Sequence, residues 1–115
     1  MASMHSRYRV DYTNRADEDI EGLGFSGCRQ VLRWIDKNLN GCEAPEVFGH
    51  TLTDGRSHAV LVSQGILSQN SKAWCYRIGE YRLLAEIRSD LGQILVVGVR
   101  RDSVVDGDEE ADDIY

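Results

Sequence analysis

Trp74-Cys75-Tyr76-Arg77-Ile78-Gly79-Glu80-Tyr81-Arg82-Leu83-Leu84-Ala85-Glu86-Ile87-Arg88, followed by Ser89-Asp90-Leu91-Gly92-Gln93 and Ile94-Leu95-Val96-Val97-Gly98-Val99-Arg100-Arg101, decides the fold. It reads as strand, turn, strand, turn, strand. Ala73–Ile78 and Tyr81–Arg88 are rich in β-formers and meet at the two-residue connection Gly79-Glu80. Asp90–Gly92 turns the chain again, and Ile94–Arg100 is a third strand, too apolar in its Ile-Leu-Val-Val run to lie at a sheet edge. A period of two puts Tyr76, Ile78, Tyr81 and Leu83 on one face and leaves Arg77 and Arg82 on the other, open to solvent.

Working outward, Tyr8–Tyr12 alternates polar and apolar residues and reads as a short first strand. Thr13 or Asn14 then caps a helix running to about Leu23, with Asp17, Glu18 and Asp19 in its early turns and Gly24 and Gly27 as stop signals. Ala16, Ile20 and Leu23 form its narrow apolar stripe. A second helix spans about Cys28 to Leu39, with Val31, Leu32, Ile35 and Leu39 on one face and Asn40-Gly41 at its end. Gly41–Gly49 is a loop holding the only proline, Pro45. Between Arg56 and Lys72, the run His58–Val62 suggests an extra strand or hairpin. The expected architecture is therefore α+β, two N-terminal helices packed on a small antiparallel sheet in the order β-α-α-β-β-β.

With 115 residues, the chain is sized for one domain, expected over 1–105. The net charge of −6 is unevenly spread. Seven of 19 acids lie in the last fourteen positions, so the rest of the chain carries 12 acids against 13 Lys and Arg, a charge of +1. Residues 106–115 read as an acidic, disordered tail, and the remainder is compatible with nucleic-acid binding. No apolar run approaches the roughly 20 residues of a membrane span, and Met1–Arg9 lacks the pattern of a secretion signal. Cytoplasmic location is the expectation. Cys28, Cys42 and Cys75 show no paired spacing and His5, His50 and His58 do not complete a zinc set, so neither metal nor cofactor is expected.

The segment Trp74–Ile87 resembles the W-x-Y-R-I-G-D-Y-R-hydrophobic-hydrophobic-x-E-I signature of the RelE/ParE superfamily, the toxins of bacterial type II toxin–antitoxin systems. Trp34-Ile35-Asp36-Lys37-Asn38-Leu39, then Cys42, Pro45 and Gly49, is similar to the family's W-I-D-K-N-L-x-x-C-x-x-P segment and its later glycine. The resemblance covers 7–54 and 73–104. Three departures stand out. Arg56–Lys72 is an insertion, His50 occupies a lysine place, and the closing His-Arg-x-x-Val-Tyr reads here as Arg100-Arg101-Asp102-Ser103-Val104-Val105.

RelE-like members cut messenger RNA on the ribosome, so the resemblance implies a metal-independent endoribonuclease in which the 2′-hydroxyl attacks the adjacent phosphodiester. Arginines suit the stabilisation of that transition state, because a guanidinium offers phosphate a planar fork of donors and stays charged. Arg77, Arg82 and Arg101 are expected to converge as catalytic residues, with Arg100 and Lys72 as RNA contacts. Val105 cannot move a proton, and Tyr81 is the candidate substitute; His50, His58 and Tyr115 carry less weight. ParE-like members instead poison DNA gyrase by a protein contact, and a degenerate toxin would bind only its antitoxin; both alternatives stay open here. In every case a cognate antitoxin partner is implied, docking by an amphipathic helix or strand, with the groove beside Trp34 as a candidate surface. The acidic tail is a candidate screen for the arginine face.

Overall fold

The computed structural model describes residues 7–51, 55–68 and 72–101, with the backbone alone at 55–57. Its core is the predicted meander: β3 (Ala73–Ile78), β4 (Tyr81–Arg88) and β5 (Gln93–Arg101) pair antiparallel in sequence. β1 (Arg9–Tyr12) adds to the outer side of β5 in parallel, with Val10 beside Ile94 and Tyr12 beside Val96. β2 (His50–Thr51) extends the other edge against Cys75 and Trp74, giving the order β1-β5-β4-β3-β2. The sheet is thus mixed and five-stranded, and the interior position expected for the Ile94–Arg100 strand holds.

Thr13 caps α1 (Asn14–Glu21), its Oγ1 accepting the Ala16 N–H at 3.1 Å. The second helix, α2, runs over Gly24–Asn38, one turn longer at its start than the glycines suggested. Gly27 lies inside it, and the reason is space. A Cβ there would sit 2.6 Å from Tyr81 Oη and 2.8 Å from Leu23 Cβ, so glycine lets the helix press onto the sheet. Ala16, Ile20, Val31, Ile35 and Leu39 from the helices meet Tyr76, Ile78, Tyr81, Leu83, Ile94 and Val96 from the sheet in the main core.

The His58–Val62 run is a helix rather than a strand: α3 spans Gly55–Ser63. Five residues, four of them consecutive apolar ones, do not fix their own period. Only Leu61 of this run is fully buried, as one-sided helical packing requires. Gly65 ends the segment at φ 77°, with Ile66 N–H bonded to Leu61 C=O and Gly65 N–H to Val62 C=O, a Schellman closure. Leu61 and Leu67 cover the sheet face opposite α1 and α2, against Ala73, Cys75, Leu84 and Val97. Glu86, 2% exposed, ties this layer down by accepting the Ser68 N–H at 2.9 Å and Arg88 at 3.0 Å. Residues 102–115, including Val105 and the acidic tail, lie outside the described residues. Among the described residues no helix is long and apolar enough to cross a membrane.

Tyr76 is 1% exposed, lies tilted against Trp34 with ring centroids 5.8 Å apart, and donates its hydroxyl to Pro45 C=O at 3.1 Å. Burial pushes its phenol well above the ordinary value, and Tyr12 moves the same way for the same reason. An unfolded chain ionises both phenols near pH 10, while the folded chain keeps their protons. Their contribution is complete below that pH and is lost as pH climbs beyond it. Denaturant midpoints should therefore drop above pH about 10, and Tyr76→Phe should flatten the decline. An equal decline in Tyr76→Phe would assign the effect elsewhere.

Candidate anion-binding face

The β3–β4 hairpin turns at Gly79, whose φ of 60° suits glycine. That tight turn sets Arg77 directly opposite Arg82. On the other side of β4, Arg82 stands directly opposite Arg100. Three guanidinium-bearing residues therefore lie abreast across β3, β4 and β5, about 10 Å from end to end at the usual strand spacing. They occupy the sheet face that α3 covers further along. Arg77 is exposed, and Arg82 and Arg100 are half-buried.

Arg100 reaches this row because of a β-bulge. From Arg88 to Ala85 the register with β5 is regular, Ala85 pairing with Val96. Leu84 then pairs with Gly98, so Val97 is the extra residue. An unbroken ladder would place Arg101 on the arginine face and Arg100 on the helix face. One added residue exchanges them.

Arg101 consequently does not join Arg77 and Arg82 as expected. It pairs with Tyr81, lies over that ring at 5.4 Å and bonds Glu80 at 3.1 Å, both charged side chains being more than half exposed. Such a pair adds little stability. Tyr81 is 3% exposed, and its hydroxyl faces Gly27 on the helix side. The sheet stands between it and the arginine row. Lys72 is exposed and precedes β3, five residues or about 16 Å along the strand from Arg77. His50 is exposed on β2, and His58 is half-buried in α3. Among the described residues no three His, Cys, Asp or Glu side chains gather as metal ligands.

The row has a plain chemical meaning. Like charges directly opposite on neighbouring strands repel, and here Arg82 stands opposite both Arg77 and Arg100. An anion laid across the strands would offset both. Guanidinium forks match phosphate oxygens bidentately. Arginine cannot accept a proton, so the row stabilises charge and does not itself carry out proton transfer.

A separate groove of about 590 Å³ runs along the outer side of α2, lined by Phe25, Arg29, Arg33, Trp34 and Lys37. Phe25 is 78% exposed there, with Arg29 above its ring.

Two helices on the meander and a parallel first strand define a RelE-type α+β fold. The solved structures agree. A chain of the RelBE2 toxin–antitoxin complex from Mycobacterium tuberculosis aligns with a TM-score of 0.56 at 20% identity, covering 83% of this chain and 98% of that one. A chain of the archaeal RelE–RelB complex from Pyrococcus horikoshii aligns at 0.58 and 16% identity, covering 86% and 99%. No protein-family model matches the sequence, and no curated protein matches it.

Proposed function

We propose that this chain is the toxin of a type II toxin–antitoxin pair and acts as a metal-independent endoribonuclease on ribosome-bound messenger RNA. The observation that carries the reading is the row Arg77–Arg82–Arg100 across three adjacent strands. In the reaction, O2′ bonds to phosphorus and the P–O5′ bond breaks, leaving a cyclic phosphate and a free 5′-hydroxyl. The 2′ proton is lost and one is gained at O5′. Between these states the phosphorus carries extra oxyanion charge, and the row meets that charge in a fixed geometry. Its two half-buried arginines are partly withdrawn from water, which strengthens the interaction.

The solved complexes of the same fold support an antitoxin as the physiological partner. The groove on α2 beside Trp34, apolar at Phe25 and basic at Arg29, Arg33 and Lys37, suits an acidic amphipathic segment. The test is induction of the chain in cells together with a translation reaction read by primer extension. Growth arrest with new messenger ends inside codons is the expected result. Intact messenger together with lost DNA supercoiling activity would assign the chain to gyrase poisoning instead.

A further inference from the structure

β1 stops at Tyr12, whose partner is Val96, so the edge of β5 beyond that point faces α1 instead of a strand. Asp19 of α1 accepts the Val99 N–H there at 3.0 Å. From the other side the turn after α3 brings in Gln64 and Ile66. Between them lies a cavity of about 240 Å³, whose lining includes Arg15, Asp19, Gln64, Ile66 and Arg100. At about 30 Å³ per water this equals roughly eight waters, and it falls below the roughly 300 Å³ of drug-sized sites. It has room for one planar ring system.

The rim chemistry selects among anions and bases. A bare phosphate would meet the Asp19 carboxylate and be repelled. A nucleobase offers donors and acceptors along its edge, matching one carboxylate, two guanidinium groups and an amide. Ile66, half-buried, offers an apolar contact to one ring face. Arg100 belongs to both places, lining this cavity and standing one strand, about 5 Å, from Arg82. We propose that the cavity receives the nucleobase beside the phosphate held by the arginine row, with Arg15, Asp19 and Gln64 reading its edge. The inference rests on the ribonuclease reading. Leu61, Gln64 and Ile66 all come from 56–72, the stretch that the family resemblance sets apart as an insertion.

The test uses the full-length protein on ribosomes programmed with messengers that differ in one base flanking the cut. Wild type should favour its best base over its worst by about tenfold or more. Gln64→Ala and Asp19→Asn should narrow that ratio to about threefold or less while still cutting the best base. Asparagine can still accept the Val99 N–H, Gln64 is exposed, and melting temperatures should stay at the wild-type value. Gln64→Glu should shift preference toward bases bearing an exocyclic amino group. Unchanged ratios in all three variants, with cleavage lost in Arg82→Ala, would overturn the base site and leave the ribonuclease standing. No cleavage by wild type would overturn both.

Discussion

Arg82→Ala should lower messenger cleavage by about 100- to 1000-fold while leaving the chain folded. Arg82 is the middle of the row, with Arg77 on one side and Arg100 on the other. A phosphate bridging the strands loses its central fork when that side chain goes. Cleavage should fall while the far-ultraviolet circular dichroism stays that of the wild type, which a loss through unfolding would not produce. Arg82→Lys keeps the charge and loses the fork, so its rate should fall between the two. Arg101→Ala should cut near the wild-type rate, because Arg101 lies on the other face against Tyr81 and Glu80. Equal losses in Arg82→Ala and Arg101→Ala, read in the same translation reaction, would dismiss the row as the site.

Gly49→Ala should be the most damaging small change to the fold, lowering stability by about 3 kcal/mol and the melting temperature by roughly 10–20 °C. The backbone at Gly49 is extended, a conformation open to any residue, so strain is not the cause. Space is. A Cβ there would press on the Cys75 carbonyl oxygen and lie 2.7 and 2.8 Å from Tyr76 Cδ1 and Cε1. Neither neighbour can yield easily. Cys75 is paired with His50 in the β2–β3 ladder, and Tyr76 is locked by Trp34 and the Pro45 carbonyl. Gly41→Ala is the contrast, since nothing lies within 4 Å of its added carbon and only its φ of 82° resists, at about 1 kcal/mol. Thermal unfolding of the two variants side by side decides the matter, and near-identical midpoints would refute the close approach.

The meander was legible because its signals agree at every level. Gly79 marks a tight turn, the period-two pattern of Tyr76, Ile78, Tyr81 and Leu83 survives as the buried face, and Ile94 and Val96 are interior. α3 was hidden because the run His58–Val62 is too short to reveal a period, although Gly65 carried the cap signal that would have named it. β2 was invisible for a simpler reason: two residues have no pattern. The candidate site was half legible. Arg77 and Arg82 follow from a two-residue hairpin, where counting is safe. Arg100 could not be chosen over Arg101, because the choice depends on one extra residue, Val97, in a stretch of four consecutive apolar residues where a bulge leaves no mark. Arg15, Asp19 and Gln64 come together only through the packing of α1 and α3 about the free end of β5, a contact between distant segments that local reading does not reach.

The parallel seating of β1 on β5 also has a bearing on how the chain is made. Arg9 waits for Gln93, and Tyr12 for Val96, so the first strand synthesised pairs with the last of the described elements. Chains emerge from the ribosome N-terminus first, and a contact across such a separation forms slowly. The Arg77–Arg82 hairpin can close early from neighbouring residues, whereas Arg100 arrives only when translation has passed almost the whole sheet. A nascent or prematurely terminated product thus carries two guanidinium groups and no closed edge. The row of three arginines is complete only in a molecule whose synthesis has reached the end of β5.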